Sequence, residues 1–230
     1  MTTELLTERH GATLLITLSG PATRNALARQ VFAAGIETLN MAESNPDVTA
    51  VVLTGAGGHF CSGADLQHLK QQRHNLVAQG AQIEDFHQWI EALRSFPKPV
   101  IAAVEGMAAG GGMALALACD LIVASETARF CAHPTLAAMP PEGGLSHTLV
   151  RTVGRARALE IMWHTGNVPT QQLQQWGLVQ RLTPTGQAQT QALRWAEELG
   201  QLPPSVMASI KELANDAALS ALRAQMNAEK

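Results

Sequence analysis

Three consecutive glycines could form part of an anion-binding site. Gly110, Gly111 and Gly112 lead into the apolar segment Met113 to Cys119, which predicts a buried helix entered through a glycine turn. The first N–H groups of a helix have no intrahelical partner and carry partial positive charge, and glycine has no side chain to keep a ligand away. Such a helix start suits an anion or a polarised carbonyl oxygen. The same glycines could instead serve only the close packing of a buried helix.

A second loop could supply another backbone donor. The segment Gly55 to Leu66, GAGGHFCSGADL, follows an apolar run, Val48 to Thr54, that predicts a strand. Asp65 is a good N-cap for a helix beginning near Leu66. The residues on the approach to that helix are Ser62, Gly63 and Ala64. Two loops of this kind could direct two N–H groups at one oxygen atom.

The elements around the two loops indicate an α/β fold. Val100 to Val104 and Leu121 to Ala124 are continuous apolar runs, typical of strands that are buried on both faces. They flank the helix predicted after the glycines. This alternation of strand, helix and strand predicts a mainly parallel sheet.

Four segments, in order along the chain, together resemble the enoyl-CoA hydratase/isomerase (crotonase) family. They are SGPATRNAL, FCSGADL, KPVIAAVEG and GMAAGGGMALALACDLIVAS. The resemblance extends from about residue 5 to about residue 215. It implies a crotonase-like fold of repeated β-β-α units, with a core domain at 1–200 and a C-terminal helical segment at 201–230 that is shorter than is usual in the family.

The resemblance also implies a substrate and the groups that bind it. The N–H groups of Ser62 and Gly111 are expected to form an oxyanion hole for the thioester carbonyl of an acyl-CoA. Removing an α-proton puts negative charge on that oxygen, and a preorganised donor stabilises the charge by roughly 3 kcal/mol. Arg24 is a candidate partner for a CoA phosphate or, equally, a solvated surface arginine. The implied substrate-binding residues are Arg24, Asn25, Ser62, Gly63, Ala64, Asp65, Leu66, Gly110 and Gly111.

The pattern of acidic residues departs from that of the family hydratases, which use two glutamates to activate water. One glutamate lies three residues after the oxyanion glycine, where this chain has Ala114. The other aligns near His133-Pro134, where there is no carboxylate. Glu142, in MPPEGGLS, matches the PEGG-like segment in which family members that shift a double bond place a single base.

Glu142 is therefore the predicted base of an enoyl-CoA isomerase, a reaction for which one carboxylate suffices. Alternatively, Glu142 is a solvated residue of a proline-glycine turn. His133 and His147 are reserve bases because histidine can exchange protons near neutral pH. They or an unusual water could support hydratase, hydrolase or ring-opening chemistry on a CoA thioester. A catalytically silent family member that binds acyl-CoA or a protein is the remaining alternative.

Composition excludes other classes of function. A net charge of −3 without a dense basic run argues against a nucleic-acid partner, and no segment predicts a membrane span or a signal peptide. The three cysteines are typical of reduced thiols in a cytoplasmic protein, and without CxxC or HExxH no metal site is expected. No separate cofactor is expected, since coenzyme A enters with the substrate. The resemblance implies a homotrimer or hexamer.

Periodicity predicts the remaining elements. Trp89 is expected in the core rather than at a ligand. The predictions are a hairpin of Leu5 to Arg9 and Thr13 to Leu18, a strand from Leu178 to Leu182, and helices from Asn25 to about Glu43, Ile83 to Phe96, Arg155 to Trp163, Thr170 to Trp176, Gln187 to Leu199 and Pro204 to about Ala228.

Overall fold

The computed structural model describes residues 2–65, 75–132, 141–163 and 166–229. Leu66, with the helix expected to begin near it, and the reserve base His133 lie outside the described residues. The strands are β1 (Glu4–His10), β2 (Thr13–Ser19), β3 (Ala50–Gly55), β4 (Val100–Val104), β5 (Met107–Ala109), β6 (Leu121–Ser125), β7 (Arg129–Cys131), β8 (Val168–Pro169) and β9 (Arg181–Thr183).

Eight α-helices lie within these described ranges, and a short 3-10 helix, Pro21–Thr23, precedes them. They are α1 (Arg29–Ser44), α2 (Leu76–Ser95), α3 (Gly111–Ala118), α4 (Leu145–Val153), α5 (Arg155–Trp163), α6 (Thr170–Gln175), α7 (Ala188–Leu199) and α8 (Pro204–Ala228).

The main sheet has six strands in the order β1-β2-β3-β4-β6-β9. Strands β1 and β2 form the predicted antiparallel hairpin, and each later neighbour pairs in parallel. In β3, Val51 and Leu53 pack with α1 and α2, whereas Ala50 and Val52 face α7. The strand is therefore buried on both faces, and the predicted α/β class with a mainly parallel sheet is confirmed.

A second, three-stranded sheet has the order β5-β7-β8. Its strands have two or three residues each, too few for an alternating pattern to be recognised in the sequence. Only Glu105 and Gly106 separate β4 from β5, and α3 follows β5 directly. The chain therefore passes from the first sheet (β4) to the second (β5) and into helix α3, and these three elements form one β-β-α unit.

Several predicted boundaries need correction. Helix α1 begins at Arg29 rather than Asn25, because Arg24 and Asn25 adopt left-handed backbone conformations with φ of 54° and 58°. Helix α2 begins at Leu76 rather than Ile83, and α4 was not predicted. The predictions for α5 and α8 are confirmed, and Trp89 is a core residue with 1% of its surface exposed.

Helix α8 packs on the rest of the molecule near the end of the described chain. Leu222 and Met226 are buried, and the Leu222 side chain lies against Gly144. This contact brings the last turn of α8 next to the loop that carries Glu142. No helix in the described part of the chain is long and apolar enough to cross a membrane.

Candidate active site

Helix α3 begins as the sequence predicts, at a glycine turn, and all eight of its residues are buried. Gly110 has φ 52° and ψ −122°, a conformation that strongly favours glycine, and its N–H donates to Cys131 O at 2.8 Å. The Ala114 N–H donates to Gly110 O. The Gly111 N–H, one turn earlier, donates to no described residue. It is available at the positive end of the helix.

The second loop lies directly against this helix start. Cys61 N–H donates to Met107 O, and Ala109 N–H donates to Cys61 O, both at 2.9 Å. A Cβ atom on Gly63 would lie 2.5 Å from Ala109 O and 3.3 Å from Gly111 N. Only glycine permits this approach, so the predicted meeting of the two loops is confirmed.

The structure corrects the donor that was assigned to this second loop. The Ser62 N–H donates to Arg24 O at 3.0 Å and its Oγ donates to Thr23 O at 2.9 Å, so neither group is free for a substrate oxygen. The Ala64 N–H, by contrast, donates to no described residue. It lies beside Leu27 in a parallel bridge and lines the same cavity as Glu142.

Asn25 was predicted as a substrate-binding residue, but its side chain has a structural role and is not available to a substrate. It is fully buried, its Oδ1 accepts from Gly20 N–H, and its Nδ2 donates to Ala56 O at 2.9 Å and to His59 O at 2.7 Å. These bonds join the loop after β2 to the loop after β3. The neighbouring Arg24 is exposed, and Asp65 is partly buried.

Glu142 lies where the sequence predicts a base. A Cβ atom on Gly111 would lie 2.9 Å from Glu142 Oε1, so the carboxyl group is adjacent to the start of α3. Burial, followed by the negative charge of Glu229, raises the pKa of Glu142 from 4.5 to about 7. Such a group exchanges a proton readily at neutral pH.

Two side chains from other elements hold the loop around Glu142. His87 Nε2, on α2, accepts from Gly143 N–H at 3.2 Å, which places the imidazole proton on Nδ1. Glu229 follows α8; its Oε2 accepts from Gly144 N–H at 2.9 Å and its Oε1 accepts from Ser146 Oγ at 2.6 Å. Glu229 thus caps the beginning of α4.

The cavity beside Glu142 is mainly apolar, and Glu142 is the one carboxylate among its described lining residues, which are Leu27, Phe32, Ala64, Gln79, Gln82, Ile83, Phe86 and Glu142. The segments 66–74 and 133–140 contain no Asp or Glu in their sequence. Ala114 is buried near Gly143. The cavity volume is about 20 Å³, enough for one water molecule, so an acyl group enters only if the lining side chains move.

Two other reactive groups, His147 and Cys61, are not suited to act as base or nucleophile in this cavity. His147, a reserve base, lines a different cavity together with Arg94 and Arg151. Burial raises the pKa of the Cys61 thiol to about 12, so Cys61 is not a nucleophile at neutral pH.

Comparison with known proteins agrees with this geometry. Residues 8–230 match the family model of the enoyl-CoA hydratase/isomerase family. A 2,3-dehydroadipyl-CoA hydratase from Escherichia coli is 34% identical over 99% of this chain and 88% of its own length. The enoyl-CoA hydratase EchA19 from Mycobacterium tuberculosis is 32% identical over 91% of this chain and 80% of its own length.

A crystal structure of an enoyl-CoA hydratase from Polaromonas matches with a TM-score of 0.90. Its sequence is 43% identical, and the match covers 98% of this chain and 89% of the Polaromonas chain. The chain therefore belongs to the enoyl-CoA hydratase/isomerase family of acyl-CoA enzymes. The expected crotonase fold is confirmed.

Two residues of the site were missed in the sequence. His87 lies on an amphipathic helix whose pattern indicates only packing, and Glu229 lies 85 residues from the Gly144 N–H that it caps. Neither has a local motif. The Ala64 N–H was also not identified from the sequence as the available donor. The signal for it was the preceding glycine, Gly63, which can adopt a positive φ (82° in the structure) and so turn the following N–H away from the path of the chain.

Proposed function

We propose that this protein shifts a double bond in an enoyl-CoA thioester, with Glu142 as the single base. The observation that carries the proposal is the Glu142 carboxyl group, of pKa about 7, beside the available N–H of Gly111 in a cavity whose other described lining residues carry no carboxylate. The N–H groups of Ala64 and Gly111 are the proposed pair of oxyanion donors.

In the proposed reaction, Glu142 removes a proton from C2 of a 3-enoyl-CoA. The electron pair of that C–H bond delocalises onto the thioester oxygen, and the two N–H groups stabilise the resulting dienolate. The protonated Glu142 then returns the proton to C4, and the double bond moves to C2–C3. No other reactant is consumed, and the carboxylate is regenerated.

The surroundings of the site support an acyl-CoA substrate. Leu27, Phe32, Ile83 and Phe86 form an apolar lining for the acyl group. Arg24 is exposed on the neighbouring loop and is the proposed partner of a CoA phosphate.

Hydration of a 2-enoyl-CoA is the second candidate, because the relatives named above are hydratases. In that reaction Glu142 would take a proton from a water molecule while the water oxygen adds to C3, and would then deliver the proton to C2. Ala114 argues against this reading, since the position offers no second carboxylate to hold the water.

The test compares the wild type with Glu142→Gln on a 3-enoyl-CoA and on a 2-enoyl-CoA, followed by the absorbance of the conjugated enoyl thioester. We expect the signal to rise with the 3-enoyl substrate and the rate to fall about 10²- to 10⁴-fold in the variant. If the signal falls with the 2-enoyl substrate and the 3-enoyl substrate is unchanged, the enzyme is a hydratase and the proposed isomerisation is wrong. Silence on both substrates with CoA-ester binding intact would indicate a binding role.

A further inference from the structure

A second cavity, outside the site described above, is lined by basic and polar groups. It lies between α2, α4 and α8 and has a volume of about 100 Å³. Its lining residues are Arg94, His147, Thr148, Arg151, Thr152, Asn215, Leu219 and Leu222. They include two guanidinium groups and an imidazole but, among the described residues, no carboxylate. None of them lines the cavity at Glu142.

Arg94 reaches this cavity from α2 with part of its hydrogen-bonding capacity unused. One terminal nitrogen donates to Leu117 O and, at 3.2 Å, to Thr148 Oγ1. Its Nε is buried and bonds to no group in the described part of the chain. Burial lowers the pKa of Arg94 despite the opposing charge of Asp120, although an arginine remains charged at neutral pH.

His147 presents a second unused nitrogen. Its Nε2 is buried and has no hydrogen-bond partner within the described ranges. Burial first, and then the charges of Arg151 and Arg94, lower the pKa of His147. The charged groups that act on it are thus Arg94 on α2 and Arg151 on α4, while the described lining residues of α8 are uncharged.

We propose that this cavity binds a small oxyanion of the phosphate type. An oxyanion in the cavity would accept hydrogen bonds from the guanidinium group of Arg151 and, after a shift of the lining side chains, from Arg94 Nε and His147 Nε2, which are closed to solvent in this structure. It would also offset the repulsion between like charges. Holding one water requires about 10–15 Å³, so this cavity has room for a small ion. Because α2, α4 and α8 all line it, the bound ion would also stabilise their packing.

The proposal is independent of the reaction at Glu142, and its test measures no turnover. The ring-proton NMR signal of His147, assigned with His147→Gln, is titrated with pH in chloride and in inorganic phosphate at equal ionic strength. We expect phosphate to raise the pKa of His147, because an adjacent anion favours the protonated ring. We also expect it to raise the thermal unfolding midpoint.

The variant Arg151→Gln should abolish both responses. Arg151 is exposed and its removal should leave the fold intact. Arg155→Gln, on the exposed first turn of α5, removes an equal charge outside the cavity and should keep both responses. A pKa of His147 that is the same in phosphate and chloride, or a phosphate response that survives in Arg151→Gln, would overturn the proposal.

A parallel titration with coenzyme A distinguishes a free ion from the phosphates of a substrate. If the cavity binds a free ion, inorganic phosphate raises the pKa of His147 and coenzyme A leaves the His147 signal unchanged. A response to coenzyme A without one to phosphate would overturn the free-ion site and assign the cavity to the substrate.

Discussion

At the scale of single residues, the site depends on a carboxyl group held where ionisation is unfavourable. The pKa of Glu142 is raised to about 7 by burial and by the charge of Glu229. The protonated and ionised forms are thus both populated near neutral pH, which suits the proposed role of Glu142 as a base that also returns its proton. The raised pKa of Glu142 also lowers the stability of the folded protein at neutral and alkaline pH.

Replacing Glu142 by Gln should stabilise the fold at alkaline pH. Between pH 4.5 and about 7 the folded state retains a proton that the unfolded state has lost, so wild-type stability falls as the pH rises through this range. We expect Glu142→Gln to exceed the wild type by on the order of 1–3 kcal/mol in free energy of unfolding at pH 8, and to match it more closely at pH 5. Urea denaturation at both pH values measures this. If the variant and the wild type differ by the same free energy of unfolding at pH 5 and at pH 8, the assigned pKa of Glu142 is wrong.

Replacing Glu229 by Gln should change the pH profile of the reaction. The charge of Glu229 raises the pKa of Glu142, so neutralising it should move the acidic limb of kcat/KM to lower pH. Gln retains a carbonyl oxygen that can accept from Gly144 N–H. Glu91→Gln, which removes a carboxylate paired with Arg223 on the surface, should leave the limb in place. An unmoved limb in Glu229→Gln would show that Glu229 serves only as a helix cap, and a raised limb would contradict the electrostatic effect assigned to its charge.

At the scale of elements, the proposed oxyanion pair requires a loop and a helix start to approach more closely than side chains allow. The positive φ of Gly63 (82°) directs the loop, and its missing Cβ leaves room for Ala109 O. The sequence revealed both loops through their glycines. It could not reveal which N–H was available, since the bond from Ser62 N–H to Arg24 O joins segments that are distant in the chain.

Substituting Gly63 by Ala should therefore destabilise the protein more than the same change at Gly58. Both have positive φ, which costs roughly 1–2 kcal/mol for a residue with a side chain, but a Cβ on Gly58 meets no atom within 4 Å. A Cβ on Gly63 would lie 2.5 Å from Ala109 O. Chemical denaturation should show a loss at Gly63→Ala larger by at least about 1 kcal/mol. Equal losses would mean that the loop relaxes without strain.

At the scale of the whole molecule, three distant segments converge on one cavity. The parallel sheet positions the loop after β3 and the start of α3, while Glu142 arrives from the loop before α4 and is braced by α2 and by Glu229 after α8. Long helices such as α8 could be predicted because Pro203-Pro204 and a long periodic run mark them. The short second sheet and the bracing by Glu229 could not, because both arise from contacts between remote residues.

Whether Glu142 is the base can be measured by hydrogen exchange at C2 of a saturated acyl-CoA in D₂O, followed by NMR. Exchange needs only proton removal by Glu142 and stabilisation of the enolate, whichever reaction completes the cycle. We expect deuterium incorporation by the wild type and a loss of at least about 100-fold in Glu142→Gln. Undiminished incorporation by the variant would contradict the assignment of Glu142 as the base.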